Sequence, residues 1–214
     1  MSQGLETAVI LGEDGDMDES SIEHAWIEQT LTGRLLVASP ELGDPHFSRT
    51  IVLLVDHDES GALGVVLNRP STTYVSEILP DWHLYATPPQ VVFQGGPVGR
   101  DSALALAART GWSVDADEPL GFRHVHAGIG LVDLDSPAEL IAGEIASMRV
   151  FAGYAGWGSE QLEAEIGEGS WFVVDAEPGD LSSDDPARLW EQVLRRQPPR
   201  LAIVATFPED PSLN

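Results

Sequence analysis

Four short stretches hold the residues whose types and spacing could do chemistry. The first, Asp44-Pro-His-Phe-Ser-Arg-Thr50, is polar and turn-like and runs straight into an apolar strand. Arg49 at the mouth of that strand could hold a carboxylate or phosphate through its planar fork, with Asp44 positioning it. Asp44 and Arg49 could equally pair with each other or cap nearby backbone, the commoner use of such residues beside a strand. The second stretch is Asn68-Arg69-Pro70 and the third Gly95-Gly96-Pro97. Glycines let a ligand approach the backbone, and consecutive N–H groups can form an anion-binding nest, although a Gly-Gly-Pro sequence is more often only a turn. If both segments meet at one rim of a sheet, Asn68, Arg69, Gly95 and Gly96 make a polar pocket beside Arg49. The fourth stretch sets three glycines beside Phe151, Tyr154 and Trp157, then continues into Gln161-Leu-Glu-Ala-Glu165. There the aromatic rings fill space left by missing Cβ atoms, and the start of the helix would welcome an anion.

Other chemistries find less support. His124 and His126 are two apart and would share a face of a strand, with His46, His57 or an Asp completing a metal set, but no third ligand stands at a telling spacing, so no metal is expected. His57, beside Asp58 in a turn, could act as a general base, yet no nucleophile is identifiable. Glu163 and Glu165 lie about 200° apart on a helix and form no acid–base pair. There is no P-loop, no G-x-S-x-G, no HExxH and no strand-linked G-x-G-x-x-G. No catalytic residue and no cofactor is assigned.

Composition narrows the partners. With 214 residues, 43% of them hydrophobic, the chain can bury a sizeable core, and the absence of cysteine excludes disulfides and thiolate chemistry. Thirty-five Asp and Glu stand against 11 basic residues, all of them Arg, for a net charge of −24. That charge repels nucleic acid and anionic membranes, and otherwise serves solubility. No apolar run is long enough to span a bilayer and no basic leader precedes the first apolar patch, so a cytoplasmic protein is expected.

The elements that must position these residues follow from periodicity. Residues 1–30 contain eight acidic side chains and no Arg, which predicts a disordered acidic tail. Strands are expected at 34–39, 50–56 and 62–68, the last two joined as a hairpin through residues 57–61 and buried on both faces. A short helix follows near 75–79, then strands at 90–94, 102–107 and 122–131. Ser136-Pro-Ala-Glu139 reads as a capping box opening a helix to about Met148. A strand over 149–155, a helix over 160–166 and a strand over 171–175 come next. A final helix is capped by Asp185, started by Pro186 and closed by Arg195 and Arg196, and a last strand spans 201–206. No linker divides residues 31–206, so the reading is one α+β domain on a mixed sheet, with a short tail over 207–214.

Taken together, Gly33-Arg-Leu-Leu-Val-Ala with Pro40, Asp44-Pro45-x-Phe47-x-Arg49-Thr50, His57 with Gly61-Ala62-x-Gly64, Asn68-Arg69-Pro70, Gly95-Gly96-Pro97-Val98, Gly153-Tyr-Ala-Gly-Trp157, Gln161-Leu-Glu-x-Glu165 and Trp171 closely resemble the YqgE/AlgH family. The resemblance covers residues 31–206. It implies a bacterial cytosolic protein with a mixed, partly barrel-like sheet flanked by helices, in a largely uncharacterised family some of whose members carry the label of transcriptional regulator. Ser159-Glu160 departs from the commoner Pro-Gly at that place, as does the sequence after Phe207. The resulting expectation is a noncatalytic binding or regulatory protein that does not touch DNA itself, its partner a protein or a small anion. The alternative is an enzyme or sensor of a small anionic ligand using Arg49, Asn68, Arg69 and Gly95-Gly96. An exposed apolar patch at Trp82 or Trp112 would point to a protein partner or a homodimer.

Overall fold

The computed structural model describes residues 30–208. Ten strands form one sheet: β1 (Arg34–Ala38), β2 (Ile51–Asp58), β3 (Gly61–Val66), β4 (Pro70–Tyr74), β5 (Val91–Gln94), β6 (Val98–Arg109), β7 (Phe122–His126), β8 (Ile129–Val132), β9 (Ile145–Gly158) and β10 (Trp171–Asp175). Short helices intervene: α1 (Val75–Ile78), α2 (Gln161–Gly167), α3 (Pro178–Leu181), α4 (Leu189–Arg195) and α5 (Pro199–Ala202). The main path runs β10-β1-β2-β3-β9-β6-β8-β7, with β4 on β5 and β5 on β9. Every pairing is antiparallel except β5 with β9, so the sheet is mixed and the fold class is α+β, the sheet curling into a half-barrel.

Strand β9 organises the sheet. Its first ten residues lie along β6 while its last four turn to β3, and Phe151 and Ala152 also accept β5 on the side away from β6. Burial follows. Leu35, Val37, Ile51, Leu53, Phe93, Leu106 and Phe151 point to one side, where Trp190, Val193 and Leu194 of α4 cover them. Leu36, Val52, Leu54, Trp157 and Leu162 form a second cluster under α2, and Val75, Trp82, Ala105, Met148 and Val150 a third under α1. The expected two-sided burial of the hairpin is present: Ile51 to Val55 are all buried.

Four expectations fail, some for tertiary and some for local reasons. Residues 136–148 are not a helix: only Ala138–Leu140 make a 3-10 turn, the Ser136 hydroxyl bonds the Asp133 carboxylate rather than a helix N-terminus, and β9 has begun by Ile145. Pairing of Ile145, Ser147 and Met148 with β6 outweighs a helical signal confined to one turn. The run 122–131 is two strands, because Ala127 (φ 46°) and Gly128 (φ 80°) form a two-residue hairpin turn with both φ values positive. Residues 201–206 continue α5 into a 3-10 turn instead of a strand, following Pro198-Pro199, whose fixed φ suits the start of a helix. Asp185 contributes only its carbonyl, to the Arg188 N–H, and Arg196 reaches back to Asp180 instead of capping its own helix. β4, polar and proline-led, carries no strand signal in the sequence. The acidic tail expected over 1–30 lies outside the described residues up to position 29, as does the C-terminal tail beyond Pro208. Among the described residues no helix is long and apolar enough to cross a membrane.

Candidate functional site

The rim segments meet. The Arg69 carbonyl accepts the Gln94 N–H at 2.8 Å, and the Gly95 carbonyl accepts the Val66 N–H at 2.8 Å, so Asn68-Arg69 and Gly95-Gly96 are neighbours. Their polar groups are used within the fold. Asn68, 8% exposed, accepts the Ile51 N–H at 3.0 Å and donates to the Arg49 carbonyl at 2.9 Å. Arg69 donates through Nη2 to the carbonyls of Ser48 (3.1 Å) and Pro45 (3.3 Å); burial lowers its pKa and nearby Asp44 opposes that shift. Arg49 does not pair with Asp44. Its Nη2 donates to the Phe207 carbonyl at 2.5 Å and its guanidinium lies 4.5 Å over the Trp190 ring. Asp44 instead binds His46, through the backbone N–H at 2.7 Å and the ring Nδ1 at 3.0 Å. Gly95 donates its N–H to the Ala152 carbonyl, so it offers no open nest. A Cβ on Gly95 would lie 2.2 Å from the Gly153 oxygen, and one on Gly96 2.1 Å from the Tyr154 carbonyl carbon, so both glycines are required by strand packing.

The aromatic stretch forms a second polar centre. Phe47, Trp157 and Trp171 pack together with ring centroids 5.4 to 6.2 Å apart, and both indole N–H groups donate to Glu165 Oε2, at 2.9 Å from Trp157 and 2.8 Å from Trp171. Gln161 donates to the other Glu165 oxygen at 2.9 Å while its own oxygen accepts the Gly158 N–H. Glu163, on another side of α2, reaches His57 Nε2 at 2.8 Å. His57 lies within β2, not in the turn, and its Nδ1 accepts the Leu31 N–H at 3.0 Å, so Nε2 carries the proton and donates to Glu163. The ring ties β2 to α2. Tyr154 stands apart from this cluster, its ring beside Gly99 and Gly156.

His124 and His126 do not converge. A bulge separates them; His124 stacks on Trp112 at 5.6 Å, while the His126 Cβ lies against Gly33. Among the described residues no group of His, Asp and Glu side chains could hold a metal. Trp82 is buried, its indole N–H on the Leu134 carbonyl, so of these two tryptophans only Trp112 reaches the surface.

Two arginines have roles that the sequence reading did not assign: Arg149, which begins the fourth stretch, and Arg109. Arg149 in β9 is 1% exposed, donates to the carbonyls of Ser183 (2.5 Å) and Pro88 (3.3 Å), and stacks 4.5 Å from Phe93; its Nε and Nη1 have no hydrogen-bond partner among the described residues, and burial pulls its pKa down to about 10 against the pull of Asp184. Its place in an alternating apolar strand was the available signal. Arg109 at the end of β6 donates to the Asp117 carbonyl at 3.0 Å and borders a cleft of about 350 Å³ with Trp112, Val114, Ala116, Glu118 and His124.

The arrangement of these elements recurs in known proteins. Residues 35–202 match the family model described as AlgH-like. A UPF0301 protein of Streptomyces avermitilis is 60% identical over 86% of this chain and 96% of its own length, and one of Mycobacterium leprae is 46% identical over 87% and 92%. A crystal structure of a Corynebacterium diphtheriae protein superposes with a TM-score of 0.79 at 33% identity, covering 84% of this chain and 93% of that one. The solution structure of the AlgH protein from Pseudomonas aeruginosa gives 0.59 at 27% identity over 85% and 96%. A match over most of the chain to the family model, with relatives this similar along nearly their whole length, makes this chain a member of the AlgH-like, UPF0301 family.

Proposed function

We propose that this chain is a noncatalytic binding protein of the cytoplasm with a regulatory role, acting through a partner molecule and not by contacting DNA. The observation that carries the reading is how the chemically equipped side chains are used: Asn68, Arg49 and Arg69 hold backbone groups, His57 has both ring nitrogens engaged, and Glu165 holds two indoles. A net charge of −24 argues against direct nucleic-acid contact. The test is a gel-shift assay near physiological salt together with a turnover screen of nucleotides, phosphorylated metabolites and carboxylates. The expected result is no competitor-resistant DNA complex and no turnover; either one overturns the reading.

A second reading rests on Asp44 and His46. The carboxylate holds Nδ1 of the exposed His46 ring at 3.0 Å, on the loop whose Pro45 and Ser48 carbonyls Arg69 binds, so an oriented imidazole and a cation share one loop. It supports a small-anion sensor or enzyme at the rim. A phosphate- or carboxylate-induced rise in melting temperature that disappears in Arg69→Ala would establish it.

A further inference from the structure

Among the described residues, Asp180 and Arg149 are the buried charged side chains, and the fold treats them differently. Asp180 is matched by Arg196, whose Nη1 and Nη2 donate to its two carboxylate oxygens at 2.5 and 2.7 Å. Arg149 forms no ion pair among the described residues. Its Nη2 donates to the Pro88 and Ser183 carbonyls, which carry no net charge, while Nε and Nη1 are buried and unfilled. Burial pulls its pKa only to about 10, so the group is a cation at neutral pH. An unmatched ion in the interior is costly, and unmade hydrogen bonds add to the cost. The acid whose field reaches it, Asp184, is exposed on the connection between α3 and α4 and makes no bond to it.

The surroundings select the shape of a counterion. The Phe93 ring lies 4.5 Å from the guanidinium carbon and covers one face, so an anion must approach in the plane of the N–H groups. A planar, acceptor-only carboxylate meets that requirement. Through its two carbonyl partners the guanidinium also bridges the Pro88-Pro89 segment and the 182–185 connection. Apart from Arg149, the Ser183 hydroxyl bonds only Gln192, at a long 3.4 Å.

We infer that Arg149 is the binding group of a site for a small carboxylate anion, entered along the seam between the Pro88-Pro89 segment and residues 182–185. The anion takes N–H groups of Nε or Nη1 while both carbonyls keep Nη2, so no existing bond of the guanidinium is displaced. Asp184 stands at the mouth with like charge and holds the affinity down. With Arg149 only 1% exposed, the ligand is a free small acid and not a peptide. This deepens the binding reading proposed above, on which it rests, by naming the partner's chemistry.

The test is an NMR titration of the full chain with sodium acetate, against sodium chloride at matched ionic strength, following the Arg149 Nε–H resonance and the Ser183 and Asp184 amides. Acetate should move all three saturably. It should bind several-fold more tightly to Asp184→Asn, an exposed change, and about tenfold more weakly to Arg149→Lys, which keeps the charge and loses the planar donors. If Arg149→Lys does not fold, the natural chain and Asp184→Asn still decide. The same shifts with chloride would mark a general salt effect and overturn the site, as would silence in both the natural chain and Asp184→Asn. A fall in melting temperature in Asp184→Asn would make Asp184 the resident counterion and overturn it too. Each of those outcomes leaves the noncatalytic reading standing, since that one falls only to turnover or to DNA binding.

Discussion

The amide of Asn68 clamps the backbone of Arg49, donating to its carbonyl at 2.9 Å while accepting the Ile51 N–H at 3.0 Å. Arg49 is in the left-handed region (φ 53°), where a side chain other than glycine is strained, and the clamp fixes the turn that launches β2. Asn68→Ala leaves a buried donor and a carbonyl unsatisfied and should cost about 2 kcal/mol in urea unfolding. Arg69→Ala, whose bonds are at the surface, should cost about 0.5 kcal/mol. Equal costs would show that the two neighbours share one structural role.

Glu165 is the acceptor for two indoles at once. Glu165→Ala should destabilise by about 3 kcal/mol, since Trp157 and Trp171 are both buried donors left without a partner, and Glu165→Gln by less because one oxygen remains. Urea midpoints followed by tryptophan fluorescence separate the two.

Glu160 opens α2 with φ 60°, at the place where the family pattern more commonly carries glycine. Glu160→Gly should therefore stabilise the fold or leave it level, by up to about 1 kcal/mol, although glycine elsewhere in an element is unfavourable. Loss of stability in this variant would mean that the Glu160 side chain does something the backbone strain conceals.

The hairpin turn gives a pH dependence. Asp58 accepts the Ser60 hydroxyl and backbone N–H, and these bonds, the hydroxyl first, lower its pKa below 3.8. A carboxyl depressed in the folded state stabilises above the unfolded pKa, and that contribution is lost as pH falls through the lower folded value. In Ser60→Ala the Asp58 carboxyl carbon should titrate at higher pH by NMR, and the stability gap between natural chain and variant should narrow on acidification below the folded value. A gap that widens on acidification would assign the effect elsewhere.

Much of the sheet is legible from local pattern because its burial is local in sequence. Ile51 to Val55 and Val65 to Leu67 are apolar at every position, and strands buried on both faces read that way wherever they sit in the fold. Two failures are local, the Ala127-Gly128 turn and the Pro198-Pro199 helix start; in the others a distant partner decides. Nothing near Ile145 announces that Arg109 awaits it across the sheet, and β4 is a strand only because β5 is beside it. The site divides similarly. Asn68, Arg69, Gly95 and Gly96 were recognisable and do adjoin, but the hydrogen-bond partners of Asn68, Arg69 and Gly95 are backbone groups, which leave no trace in side-chain sequence. The helical angle between Glu163 and Glu165 indicated that they face different neighbours; that one meets His57 and the other two tryptophans depends on three strands coming together.

Because β9 is stitched to β3, β5 and β6 and contributes side chains to all three hydrophobic clusters, the centre of the sheet cannot open without breaking every cluster at once. The amides of Val150 and Phe151 should exchange with deuterium only when the entire molecule melts, which makes them the slowest protons in the chain and a direct gauge of its global unfolding free energy.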